Sequence, residues 1–272
     1  MENLFDLTGQ TLVITGSTSG IGLATARRFV QHGAKGVTIS SRKIADCERL
    51  AGEINEQAGR DVAFPIAADL SDVASLERLV DRSLERWGRL DTVMGHAGAF
   101  ETSLGSVLTI EPERFADMLV WNIRNNALLA RRALPQMKKQ GSGSIIFTAS
   151  TAATGAYPFV GVYSVMKRAL IQMVENMALE LGPHHIRVNA ISPSFTREGG
   201  SNASFWKGNE VLELKVSEFP IGRLGEPDDM AACAVYLSSK AGSFVTGRNH
   251  VVDGGYTLRQ PTESDRKISS VV

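Results

Sequence analysis

Cysteine is nearly absent from this chain. Its 272 residues hold two, Cys47 and Cys233, far apart, with no Cys-x-x-Cys pair and no histidine-rich pattern. That scarcity argues against a disulfide framework and a structural zinc site, and it is what a reducing compartment leads one to expect. An excess of charge of one sign is also lacking. Lys+Arg and Asp+Glu number 29 each, so the net charge offers no basic surface to nucleic acid or an anionic membrane. No apolar run approaches membrane-spanning length, and Met1 to Leu7 show no basic segment followed by the apolar stretch of a signal peptide. The expectations are a cytoplasmic protein with no metal, no nucleic-acid partner and no membrane partner. Linkers, internal repeats and low-complexity tracts are missing as well, apart from a polar tail over residues 260–272. Residues 1–259 therefore read as one domain.

What the chain does have is material for a core. Hydrophobic residues make up 43% of it, enough for a sizeable α/β domain. Strand-like apolar runs recur at Leu12 to Ile14, Gly36 to Ser40, Val62 to Ala67, Thr92 to Gly95, Ser144 to Ala149, Ile186 to Ile191 and Asn249 to Val252, with helical stretches between them. Such alternation predicts a Rossmann-type doubly wound parallel sheet of about seven strands with helices on both faces. An irregular stretch, residues 194–220, reads as a substrate loop because long insertions in compact domains are often functional.

Two local patterns carry chemistry. In the first, the strand ending at Thr15 runs into Gly16-Ser17-Thr18-Ser19-Gly20-Ile21-Gly22 and then into Leu23 to Val30, which has helical spacing. Glycines there let backbone approach a pyrophosphate, and a helix N-terminus presents unpaired amides to negative charge. In the second, Tyr163 and Lys167 stand four residues apart, on one helical face, with Ser150 upstream at the end of a strand. A lysine ammonium beside a phenol favours the phenolate, which makes Tyr163 a candidate general acid/base.

Together with Asn122, these segments make the chain resemble the classical short-chain dehydrogenase/reductases over about residues 7–258. The resemblance implies a catalytic set of Asn122, Ser150, Tyr163 and Lys167. Ser150 would polarise a substrate oxygen and Tyr163 would transfer the proton. Lys167 would bind the nicotinamide ribose and depress the tyrosine pKa, and Asn122 would hold a water linking the lysine to solvent, with Asn125 and Asn126 as neighbouring alternatives. It also implies cofactor contacts from Gly16 to Gly22, from Asp69 and Leu70 at the adenine, and from His96, Ala97 and Gly98. Tyr163 and Lys167 complete that set with Pro193, Ser194 and Thr196 beside the nicotinamide. Ser41 and Arg42 stand where an NAD-preferring member would place an acidic residue. A hydroxyl and a guanidinium suit a 2′-phosphate, so NADP(H) is favoured, with NAD(H) as the alternative. Ser150, Tyr157, Tyr163, Phe195 and Trp206 are the candidate substrate contacts, with Phe159 and Phe205 adding to a partly aromatic pocket.

Four positions depart from the family pattern. Gly36 reads as a one-residue insertion. Gly95 and His96 replace two asparagines, which removes a side chain expected to brace the neighbouring strands and adds a ring with a pH-dependent contact. Ser194 stands where glycine is usual and tolerates fewer backbone conformations. The implied activity is interconversion of a ketone or aldehyde and an alcohol, with 3-oxoacyl thioester reduction or a non-catalytic nucleotide sensor as alternatives. The implied assembly is a homotetramer, with interfaces near Asn122, along Tyr163 to Leu181 and at His250 to Tyr256. Met166, Leu170, Met173 and Met177 would serve either such an interface or the monomer core.

Overall fold

The computed structural model describes residues 2–98, 105–156, 160–197 and 216–258. Among them lie β1 (Thr11–Ile14), α1 (Gly20–Gln31), β2 (Gly36–Ser41), α2 (Ile44–Ala58), β3 (Ala63–Ala67), α3 (Val73–Trp87) and β4 (Thr92–Gly95). There follow α4 (Pro112–Leu119), a π-helical turn (Val120–Arg124), α5 (Asn125–Gln140), β5 (Gly143–Thr148), α6 (Gly161–Leu181), β6 (Ile186–Pro193), α7 (Pro227–Ser238) and β7 (Asn249–Val252). The seven strands form one sheet in the order β3-β2-β1-β4-β5-β6-β7, and every pairing is parallel.

Two apolar layers explain why the strands read as nearly continuous hydrophobic runs: a parallel sheet is covered on both faces. On one side Leu79 of α3, Leu129 and Ala133 of α5, and Leu170 and Val174 of α6 pack over Val93, Ile145 and Val188. On the other, Phe29 of α1, Leu50 and Ile54 of α2, and Met230, Val235 and Leu237 of α7 pack over Leu12, Ile14 and Ile39. Gly36 begins β2 because Trp87 covers it; a Cβ there would lie 2.4 Å from the indole ring.

Helix ends follow ordinary capping chemistry. Asp72 caps α3 by accepting from the Ala74 amide at 2.9 Å. Asp69, three residues earlier, folds the turn before the helix, accepting from the Ser71 amide and hydroxyl at 2.8 Å. Met166 and Leu170 are buried, while Met173 and Met177 pack against the core from partly buried positions. The monomer accounts for all four.

Strand order positions the site. From β1 the chain winds to β2 and β3 on one side, and β4 lies on the other, so the crevice at the carboxyl ends of β1 and β4 is the switch point where doubly wound sheets bind ligands. The turn beginning at Gly16 and the segment Gly95 to Gly98 meet there.

Candidate active site

The cofactor half is built by backbone approach. Gly16 has a φ of 72°, in the left-handed region, and a Cβ on it would lie 2.9 Å from the Ala97 Cβ. A Cβ on Gly22 would lie 2.2 Å from the Gly16 carbonyl oxygen, so the first turn of α1 packs directly on the loop before it. Ser19 precedes α1 without a side-chain cap bond, and no acidic residue lies in the first turn, so the helix end keeps amides for an anion. Thr15 ties the two loops together: its hydroxyl accepts from the His96 and Ala97 amides at 3.0 and 3.1 Å. Ser17 turns inward, accepting from the Ser40 amide at 2.7 Å and donating to the Thr38 carbonyl, and so braces β1 against β2. These features fit a dinucleotide.

At the adenosine end, Ser41 Oγ donates to the Lys43 carbonyl and accepts from its amide, both at 3.2 Å, so its hydroxyl already closes a local turn. Arg42 is exposed. Its guanidinium, after the two Ser71 hydrogen bonds, helps hold the Asp69 carboxyl below the usual range, which puts Arg42 and Asp69 within one electrostatic neighbourhood. The Leu70 carbonyl accepts from the Asn125 side chain, fixing the Asp69-Leu70 turn to α5. Ser194 has no left-handed backbone, so a side chain is tolerated where glycine is usual. Its Oγ is buried without a hydrogen-bond partner among the described residues, and Thr196 Oγ1 donates to the Ser194 carbonyl at 3.1 Å. Pro193 ends β6 beside them.

The candidate catalytic residues converge from three elements. Ser150 follows β5, caps a short 3-10 turn through the Ala152 amide at 3.1 Å, and hydrogen-bonds the Tyr163 hydroxyl. Tyr163 and Lys167 lie one turn apart on α6, with the ammonium 5.5 Å from the ring centroid. Lys167 is 5% exposed and donates to the Thr148 carbonyl at 2.8 Å. Asn122 is fully buried in the π turn; its Nδ2 donates to the Met118 carbonyl at 3.0 Å, and its Oδ1 lacks a partner among the described residues. A Cβ on Gly98 would lie 3.3 Å from that Oδ1 and 3.8 Å from the Lys167 Nζ, so both groups border one small space. Asn125 and Asn126 are spent elsewhere, on the Leu70 and Asn122 carbonyls, which singles out Asn122.

The electrostatics depart from the sequence reading. Burial pushes the Tyr163 phenol up to about 12, the Ser150 hydrogen bond opposing it, and burial pushes Lys167 down to about 8. Lys167 was expected to lower the tyrosine pKa; the raised value is instead set by desolvation of the phenolate, with the Ser150 hydrogen bond as the opposing effect. His96 is pushed down to about 4, by burial and then by the Lys167 charge, and its Nδ1 lies 3.0 Å from Thr148 Oγ1. The imidazole therefore stays neutral, against the expectation of a pH-dependent contact near neutrality.

Sequence reasoning passes over Thr148, which meets Lys167 through its carbonyl and His96 through its hydroxyl. Its place two residues before Ser150, on the same side of an extended chain, is the signal that was available. Phe195 packs edge-on against Tyr256 and Phe219, with centroids 5.3 and 6.5 Å away, so core packing accounts for its ring. Tyr157, Phe159, Phe205 and Trp206 lie outside the described residues, as does most of the stretch 194–220.

A family model described as enoyl-(acyl carrier protein) reductase matches residues 16–257. The chain belongs to the short-chain dehydrogenase/reductases. Dehydrogenase/reductase SDR family member 4 of Oryctolagus cuniculus is 34% identical over 253 residues, 93% of this chain and 95% of that protein. Among solved structures, 3-ketoacyl-(acyl-carrier-protein) reductase from Brucella melitensis, complexed with NADH, is 32% identical over 93% of this chain and all of that one, with a TM-score of 0.83. A structure described as an NAD(P)-dependent gluconate 5-dehydrogenase from Beutenbergia cavernae, with NADP bound at low occupancy, is 28% identical, covering 94% and 100% of the two chains, with a TM-score of 0.85. This short-chain dehydrogenase/reductase is thus an oxidoreductase-family member, and relatives of the same fold hold NADH or NADP. No helix among the described residues is long and apolar enough to cross a membrane.

Proposed function

We propose that this protein is an NADP(H)-dependent oxidoreductase that interconverts a ketone or aldehyde and the matching alcohol, with Tyr163 as general acid/base. The observation that carries the reading is the meeting of Ser150, Tyr163, Lys167 and Asn122 from β5, α6 and the π turn around one space. A nicotinamide held there would supply the hydride for the carbonyl carbon. Gly16 to Gly22 would hold the pyrophosphate; Asp69 and Leu70 would contact the adenine; His96, Ala97 and Gly98 would line the path between. Ser194 Oγ, buried without a partner among the described residues, is suited to the carboxamide. Arg42 would pair with the 2′-phosphate and gives NADP(H) its advantage over NAD(H).

The protein's own residues manage the proton. Ser150 hydrogen-bonds the substrate oxygen and the Tyr163 hydroxyl delivers a proton to it. A phenol raised to about 12 is present in its protonated, donating form at neutral pH, which suits the reductive direction. Lys167 is held by the Thr148 carbonyl, so its ammonium is fixed in place beside the phenol to stabilise the phenolate left behind. Asn122 Oδ1, open toward the same space, would accept from a water that returns the proton through Lys167.

Reduction of a 3-oxoacyl thioester is the second reading, supported by the likeness to the Brucella melitensis 3-ketoacyl-(acyl-carrier-protein) reductase. For assembly we propose a homotetramer in the cytoplasm: Phe115 and Leu119 on α4, and Val165 and Leu179 on α6, leave large apolar side chains exposed near the expected interface. The test is NADPH and NADH oxidation over a panel of ketones, aldehydes and 3-oxoacyl thioesters, beside Tyr163→Phe. NADPH-preferring turnover that falls about 10²- to 10⁴-fold in the variant is expected. Turnover that survives the substitution would remove Tyr163 from the mechanism.

A further inference from the structure

Gly95 ends β4 with no side chain of its own, yet the space above it is filled. A Cβ there would lie 2.0 Å from Asn126 Oδ1 and 2.8 Å from Phe147 Cδ1. Asn126 is 6% exposed and comes from the first turn of α5. Its Nδ2 donates to the Asn122 carbonyl at 2.7 Å, and Asn122 Nδ2 in turn donates to the Met118 carbonyl at 3.0 Å. Two side-chain amides thus bond back to carbonyls four residues earlier, in succession, across the π turn. Side-chain amides of this kind supply carbonyls that a widened turn would leave under-bonded.

From this we infer that Gly95 and Asn126 are a matched pair, and that Asn126 is a positioning residue for Asn122. The strand gives up its side chain so that an amide from α5 can occupy the place, and that amide pins the π turn carrying Asn122. The Asn126 side-chain amide is bonded to the Asn122 carbonyl, so it acts through the Asn122 backbone, which aims Oδ1 toward the space shared with Lys167. The loss of strand bracing expected from Gly95 is in this way made good from the helix side. The inference rests on the proposed role of Asn122 in proton return.

The test is a pair of double-mutant cycles in the full chain. In the first, Asn122→Ala, Asn126→Ala and their combination are compared in steady state. Asn126→Ala is expected to lower kcat about tenfold with the cofactor KM changed less than about twofold, and the double variant to be no slower than Asn122→Ala, because groups acting as a unit are not additive. In the second, read by thermal melting without any turnover, Gly95→Ala should lower Tm and the addition of Asn126→Ala should restore at least half of the loss. Losses that multiply in the first cycle, or a Gly95→Ala variant that melts like the parent, would overturn the pairing. Absence of Tyr163-dependent turnover would instead remove the functional reading on which the catalytic half rests, and the melting cycle would still decide whether the two residues share one space.

Discussion

Replacing Lys167 by Met should make this protein more stable and inactive. The ammonium is 5% exposed, and burial lowers its pKa from 10.5 to about 8. That shift corresponds to roughly 3 kcal/mol by which the fold disfavours the charged lysine relative to the unfolded chain. Methionine fills a similar volume without charge, but loses the hydrogen bond to the Thr148 carbonyl, worth about 1 kcal/mol. The net gain is about 2 kcal/mol near neutral pH, or about 4 °C in Tm for a chain of this size. Between pH 8 and 10.5 the unfolded lysine binds a proton that the folded one has released, so parental stability rises with pH across that window. The advantage of the variant is therefore full below about pH 8 and falls close to zero by about pH 9.5. Thermal melting of both proteins at fixed concentration across that range is the assay. A Met variant less stable than the parent near neutrality, by the same margin at every pH, would show that the buried charge is compensated and the reasoning wrong.

Arg42→Ala should raise the KM for NADPH by about tenfold or more and leave that for NADH nearly unchanged, through loss of a charge-assisted pair; equal effects on both cofactors would remove Arg42 from the 2′-phosphate site. Gly22→Ala puts a Cβ 2.2 Å from a backbone oxygen that cannot give way, so it should cost about 1–3 kcal/mol and abolish the fluorescence change on NADPH titration. The alkaline limb of kcat/KM for the reduction should fall near pH 8, as the free enzyme loses the Lys167 charge, and Lys167→Arg should carry that limb to higher pH if the protein folds.

The strands were legible because each is a short apolar run that a parallel sheet buries on both faces, and β6 ran two residues further than expected only because Ser192 and Pro193 pair with Val251 and Val252 of β7. The spacing of Tyr163 and Lys167 was legible because both sit within one helix, where sequence distance fixes spatial distance. Relations between elements were not. Nothing in the order of residues says that Asn126 fills the place above Gly95, or that Thr148 receives Lys167, since both depend on how α5 and α6 lie over β4 and β5. Desolvation likewise reversed the expected direction for the tyrosine: sequence shows the lysine nearby, while only packing shows what the phenolate loses in hydration.

The π turn has a geometric effect apart from Asn122. Met118 and Leu129 are eleven residues apart, about three turns of regular α-helix, and would face the same way on an uninterrupted rod. Instead Met118 packs with Val162 and Met166 of α6, while Leu129 joins the layer over the sheet, and Ile123 touches both groups. The wide turn works as a phase shifter: it rotates the first half of the rod away from the face that the second half lays on the strands. One helix can thereby press on the sheet and on the helix bearing Tyr163, so the proposed general acid/base is backed by the same rod that anchors to the core.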